Sequence, residues 1–250
     1  MTAIEYLHGL LQKYTVNVSG TMQAGNTIYP VLAKWGNKYL NSASFSGSLA
    51  KGTGISVSTD ADIFLSLSSM TPGTLSDMYS SLYNAVTIAG YTARKQDVSI
   101  GVTVNGYSID LVPGRRQSQY GNDHSLYRNR KDTWTQTNIE RHISFINSSN
   151  RINEIRILKL WRLRQGLSIS SFYLELAVID ALQCARVGNT AANVWCALEH
   201  LRDSIETARY IDPANTNNVV SDDFTRSEKT TIAAAASESL KKKTWQEIVW

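Results

Sequence analysis

The chain has 250 residues, of which 42% are hydrophobic and 18% charged, with a formal net charge of +4. That composition excludes disordered, collagen-like and membrane-spanning classes, and the length suits one large domain or two small ones. The longest uncharged apolar runs are too short for a membrane span, and residues 1–20 lack the basic, apolar, small-residue order of a signal peptide. A cytoplasmic protein with no membrane partner is expected. The charge balance is compatible with nucleotides or nucleic acid as partners without requiring either. Cys184 and Cys196 fall in apolar, helix-like segments and are expected to be buried thiols of a reducing compartment.

In chain order, Thr2-Ala3-Ile4-Glu5 is a capping box, and Tyr6, Leu7, Leu10, Leu11 and Tyr14 follow at helical spacing. A second helix is expected over about residues 26–40, with Ile28, Leu32, Trp35 and Tyr39 on its apolar face and Pro30 in its first turn. Ser44-Phe45-Ser46 reads as a strand that ends at Gly47. The stretch Gly47-Ser48-Leu49-Ala50-Lys51-Gly52-Thr53 follows, a turn whose backbone N–H groups can hold a phosphate and whose glycine permits close approach.

Residues 60–67 read as a strand, on which Asp60 and Asp62 project to one face. Two adjacent carboxylates repel unless a cation lies between them, and oxygen donors of this kind favour magnesium. After a turn at Thr71-Pro72-Gly73, a helix runs from Thr74 to Gly90. Strands are expected at 91–94, 99–104 and 107–112, with Asn105-Gly106 as a hairpin turn between the last two. The third of these strands carries one carboxylate, Asp110, between Ile109 and Leu111. Three acids on neighbouring strands beside a phosphate-holding turn make a two-metal phosphoryl-transfer site.

From Arg115 to Lys131 the chain is polar, and two readings stand: a solvated loop, or a basic strip with Arg115 and Arg116 facing acceptor phosphates. The remainder reads as helices at about 137–146, 151–165, 170–186, 191–208, 222–240 and 244–250. The expected class is α+β: an α/β catalytic half with a mixed sheet at 1–133, a helical nucleotide- and substrate-binding half at 134–250, and a cleft between them. None of His8, His124, His142 and His200 shows ligand-like pairing, and the Lys241-Lys242-Lys243 run reads as a solvated helix end.

Gly47-Ser48, then Asp60-x-Asp62, then Asp110 resembles the signature of the nucleotidyltransferase superfamily that includes DNA polymerase beta. The longer Gly-Ser-x-x-Lys-Gly-Thr form is similar to the branch of CCA-adding enzymes, oligoadenylate synthetases and the bacterial cyclic-GMP-AMP-synthase-like enzymes (CD-NTases). The resemblance implies that Gly47, Ser48, Lys51 and Thr53 bind the nucleotide. It also implies that Asp60, Asp62 and Asp110 hold two Mg2+ ions, with Mn2+ as a substitute. Residues 155–161 with 170–175 resemble the nucleotide-contacting helices of that branch. The resemblance there places Lys159 on the triphosphate, with Ser171 and Tyr173 on phosphate or base. Read from the residues alone, Lys159 either snorkels or pairs with an anion, and Tyr173 is equally a core side chain. Asp212-Pro213, with Asn217-Asn218-Val219, resembles a late motif of the branch and is physically a turn in which Asp212 bonds nearby backbone N–H groups.

The implied function is transfer of a nucleoside monophosphate from a nucleoside triphosphate to a nucleotide hydroxyl, with release of pyrophosphate. The short chain after the last motif favours a CD-NTase-like synthase of short or cyclic oligonucleotide signals, of the anti-phage type. The alternatives are nucleotide addition to an RNA or tRNA 3′ end, transfer onto a protein or antibiotic, and an inactive nucleotide-binding module. Nothing in the sequence specifies an oligomeric state.

Overall fold

The computed structural model describes residues 2–58 and 60–250. The chain divides into two compact units, each built from several stretches of sequence.

The first unit comprises residues 1–16, 52–57 and 144–250. Helix α1 (Ala3–Lys13) begins at the expected capping box, with Thr2 and Glu5 satisfying each other's backbone N–H groups. Leu7, Leu10 and Leu11 of α1 are buried in the same core as the later helices, which is why the first helix belongs with the C-terminal half. A single boundary near residue 133 is therefore replaced by an interleaved division.

The second unit comprises residues 17–51 and 58–143. Helix α2 (Val18–Gly36) starts eight residues before the expected position, capped by the Asn17 side chain accepting from the Gly20 N–H. Pro30 thus lies in the helix interior and not in the first turn. Residues that weaken helix propensity there are chosen for packing. A Cβ at Gly20 would overlap the Tyr107 hydroxyl, and one at Gly25 would press on the Phe45 ring. A short 3-10 turn leads into β1 (Leu40–Phe45), longer than the expected strand. There follow α3 (Gly47–Ala50), β2 (Ala61–Leu67) and α4 (Leu75–Ile88), the last with a Thr74–Asp77 capping box.

Strands β3 (Ala93–Lys95), β4 (Ile100–Val104) and β5 (Tyr107–Arg116) come next. The Asn105-Gly106 turn forms as expected, with both residues at positive φ. The polar segment from Arg115 is only partly loop, at residues 117–123 and 129–132. Strand β5 runs on to Arg116 and is extended by β6 (His124–Arg128) and β7 (Thr133–Thr137) as an antiparallel meander. The strand expected to end at 112 thus runs through Pro113. The proline is tolerated because β4 pairs with β5 only up to Leu111 and β6 only from Gly114, so no ladder partner faces it on that side.

Among the described residues the sheet has seven strands, with path β1-β2-β5-β4-β3 and β6 and β7 added beyond β5. It is mixed, because β2 and β5 are parallel and the other pairs antiparallel. One face is apolar: Ile63, Leu65, Ile100, Val102, Ile109 and Leu111 are buried with Ile28 and Leu32 of α2 and Leu82 and Val86 of α4. Strand alternation sends the intervening residues to the other face.

The first unit continues with α5 (Ile139–Ser148, whose first residues belong to the second unit), α6 (Ile152–Arg164), α7 (Ser171–Ala181) and α8 (Thr190–Asp203). A small hairpin, β8 (Ile211–Asp212) and β9 (Asn215–Val219), precedes α9 (Arg226–Leu240) and α10 (Trp245–Ile248). Asp212 takes its expected part, its Oδ1 accepting from the Ala214 N–H at 2.8 Å. Trp161 is fully buried at the centre, its indole N–H donating to Ser239 Oγ at 2.9 Å. The cysteines are not both buried: α7 ends at Ala181, which leaves Cys184 exposed in the turn beyond it, and Cys196 is half-buried. No described helix is long and apolar enough to cross a membrane.

Candidate active site

Asp62 and Asp110 face each other in register across the parallel β2–β5 pair. Opposed residues of neighbouring strands share a face, so both carboxylates stand on the side of the sheet away from α2 and α4. Asp60 lies just before the start of β2 and is exposed.

The Gly47 turn is fastened to Asp62 twice. The Ser46 N–H donates to the Asp62 carbonyl at 2.8 Å. Gly47 adopts φ +55°, and any Cβ there would overlap the Asp62 carboxylate. Only glycine meets both demands at low cost. Beyond it, α3 is one turn long, with Ser48 in that turn and the Lys51 N–H closing on the Gly47 carbonyl at 3.2 Å. The Lys51 side chain is buried.

Asp110 is held by residues that the sequence did not single out. Gln96 Nε2 donates to its Oδ1 at 2.8 Å, and Ser99 Oγ to its Oδ2 at 3.4 Å. Tyr79 of α4 fixes the turn that presents them, its hydroxyl bonding the carbonyls of Gln96 and Ser99. Burial raises the Asp110 pKa above the usual carboxylate value, and the charge of Asp60 adds to this. Arg94, Gln96 and Ser99 act in the opposite direction.

The same face continues along the strands to Ser66, Arg116 and His124. His124 is buried, with Nδ1 at 2.8 Å from the Asn122 carbonyl and Nε2 at 2.8 Å from Ser66 Oγ. A carbonyl only accepts, so Nδ1 carries the proton and Ser66 donates to Nε2. Burial lowers the His124 pKa and keeps the ring neutral.

As the side chains stand, no three His, Cys, Asp or Glu among the described residues form a group able to hold a metal ion. The expected convergence is thus a pair in register with a third acid whose charge reaches Asp110. The donor set nevertheless suits a hard divalent cation in chemistry: the Asp62 and Asp110 carboxylates share one face, and the charge of Asp60 adds to burial in raising the Asp110 pKa.

In the first unit the expected nucleotide contacts have other employment. Lys159 is buried, and its Nζ lies 2.6 Å from Glu175 Oε1 and 2.9 Å from Thr53 Oγ1. Thr53 donates in turn to Glu175 Oε1 at 2.8 Å. Lys159, Glu175 and Thr53 thus form a buried ion pair bridged by a hydroxyl. Tyr173 does not offer its ring for stacking, because it is fully buried between Tyr210 and Phe224. Ser171 is half-buried, its Oγ accepting from Arg162 at 3.2 Å. Glu175 was the missed partner, and the signal for it was a lone carboxylate inside the apolar run Leu174–Val178.

No family model and no curated protein matches the chain by sequence. Solved structures do match. A complex of CdnC from E. coli MS115-1 with ATP superposes with a TM-score of 0.75 at 18% identity, covering 98% of this chain and 96% of that one. The Elizabethkingia meningoseptica CdnE cyclic dinucleotide synthase, solved with GTP and Apcpp, gives 0.72 at 16% identity, covering 97% and 100%. A cytoplasmic RNA terminal U-transferase gives 0.65 at 11% identity, covering 96% and 94%. The chain has the α+β fold that CdnC, the CdnE cyclic dinucleotide synthase and the terminal U-transferase share.

Proposed function

We propose that this protein is a metal-dependent nucleotidyltransferase. It moves a nucleoside monophosphate from a nucleoside triphosphate to the hydroxyl of a second nucleotide, releasing pyrophosphate. The observation that carries this reading is the in-register pair Asp62 and Asp110, with the Gly47 turn fastened to Asp62. The shared fold supports it, since those neighbours were solved with ATP or with GTP and Apcpp. The proposed product is a short or cyclic oligonucleotide signal of the anti-phage type.

Asp60, Asp62 and Asp110 are the residues that would hold Mg2+, or Mn2+ in its place. The ions supply charge neutralisation at the phosphoryl oxygens and a lower pKa for the attacking hydroxyl. The chain's own groups do the rest. The first-turn amides at Gly47 and Ser48 have no intrahelical partner and hold the β- and γ-phosphates. Asp110, placed beside the acceptor hydroxyl, takes its proton. Gln96 and Ser99 fix the carboxylate that receives the proton. Lys159, Thr53 and Tyr173 serve the fold of the helical unit.

The likeness to a terminal U-transferase favours one second reading, nucleotide addition to an RNA 3′ end. Incubation with the four ribonucleoside triphosphates and magnesium or manganese, with and without added tRNA, separates the two. Product without RNA supports the signal synthase, and product only with RNA replaces it by terminal transfer. Pyrophosphate release in neither condition leaves the inactive nucleotide-binding module.

A further inference from the structure

Arg94 belongs to the same row of the sheet as the two carboxylates. Arg94 is paired with Gly101 across β3–β4, Gly101 with Asp110 across β4–β5, and Asp110 with Asp62 across β5–β2. Residues opposed in register point to one face, so the row Arg94–Gly101–Asp110–Asp62 crosses four strands on the carboxylate side. Gly101 leaves a gap in that row. A Cβ there would stand 2.7 Å from Arg94 Nε and 2.7 Å from Gln96 Nε2, so both side chains lie across the glycine toward Asp110.

Arg94 is exposed, and no ion pair or side-chain hydrogen bond joins its guanidinium to any described residue. It borders a pocket of about 160 Å³ lined also by Thr92, Gly101, Thr103 and Ser108. Thr103 and Ser108 form the next row on this face, two residues along from Gly101 and Asp110. Two strand residues span about 7 Å, roughly the reach of one ribose with its phosphate. A guanidinium and several hydroxyls are the donors that phosphate oxygens require. The donor phosphates are assigned to Gly47, at the opposite end of the row beyond Asp62, so a second anionic group has its own place beside Asp110.

We propose that Arg94, with the hydroxyls of Thr92, Thr103 and Ser108, holds the 5′-phosphate of the acceptor nucleotide whose hydroxyl is placed at Asp110. This rests on the nucleotidyl-transfer reading. It specifies the acceptor as a phosphate-bearing nucleotide, either free or the end of a chain, and makes Arg94 a specificity-determining residue.

The test uses the full chain with magnesium and 2′,3′-dideoxynucleoside triphosphates as donors, which have no hydroxyl with which to accept. Acceptors are the four nucleoside 5′-monophosphates, their parent nucleosides, and short oligonucleotides with and without a 5′-phosphate. Working at about pH 8 keeps the carboxylates ionised, so loss of Arg94 does not act through Asp110 protonation. The wild type should prefer phosphorylated acceptors by about tenfold or more in kcat/KM. Arg94→Ala should abolish that preference through KM, and Arg94→Lys should restore part of it. A preference confined to the oligonucleotides assigns the site to a chain end, and one seen with monophosphates to the free nucleotide.

Calorimetric binding of the monophosphates and nucleosides to the metal-free protein gives an independent readout. Turnover by the wild type with a phosphate preference unchanged in Arg94→Ala overturns the subsite and leaves the reaction standing. Absence of pyrophosphate release, with monophosphate binding that Arg94→Ala weakens and nucleoside binding it does not, keeps the subsite and removes the reaction. Absence of both turnover and phosphate-dependent binding overturns the subsite as well.

Discussion

Gly47 lies directly against the carboxylate of Asp62, with no room for a Cβ between them. The same contact sets the turn that would hold phosphate and the acid that would hold metal, so neither is free to move alone. Gly47→Ala meets two penalties, a positive φ and the overlap with Asp62. It should lose about 1–3 kcal/mol of stability by urea denaturation and most of its turnover. A variant as stable and as active as the wild type would show that the contact is dispensable.

Asp110 gives a prediction with a sign. Its folded-state pKa is raised, chiefly by burial and then by Asp60, so the folded protein binds this proton more readily than the unfolded chain. The stability linked to it is therefore full below the unfolded carboxylate pKa and lost as pH rises through the folded one. At neutral pH the ionised Asp110 is a cost to the fold. Asp110→Asn should raise the melting temperature at neutral pH, with the difference shrinking as the pH is lowered. Turnover should vanish in the same variant. Melting curves from acid to neutral pH test the sign, and a lower melting temperature at neutral pH contradicts the assigned cause.

Lys159 and Glu175 form a buried pair at 2.6 Å. Removing one partner strands a buried charge, so Lys159→Met alone should cost about 3–5 kcal/mol. The double variant Lys159→Met with Glu175→Leu should recover much of that loss. Additive losses in a denaturant double-mutant cycle would mean that the pair does not act as a unit.

Tyr173 Oη is buried and has no hydrogen-bond partner among the described residues, and burial raises its pKa to about 12. An unsatisfied hydroxyl in the core is a cost, so Tyr173→Phe should leave stability unchanged or increase it by up to about 1–2 kcal/mol. A clear loss of stability would show that the hydroxyl has a partner in solution.

The legible parts of this chain were those with local causes. The capping boxes at Thr2 and Thr74, the Asn105-Gly106 turn and the charge in the apolar strand around Asp110 each carry their reason within a few residues. What escaped depends on distant partners. The glycines inside α2 are explained only by Tyr107 and Phe45 packing against them, and the continuation of β5 past Pro113 by where its neighbours stop. Gln96, Ser99 and Arg94 reach Asp110 only through strand register and the gap at Gly101, which no spacing along the chain reveals. Which anion pairs with Lys159 was not legible, because Glu175 and Thr53 lie 16 and 106 residues away in sequence.

Pyrophosphate release from the four ribonucleoside triphosphates with magnesium, compared among the wild type, Asp62→Asn and Asp110→Asn, tests the central claim most directly. The wild type should release pyrophosphate steadily and each variant should lose about a thousandfold or more, with both variants folded by circular dichroism. Release by either variant at the wild-type rate would contradict that claim.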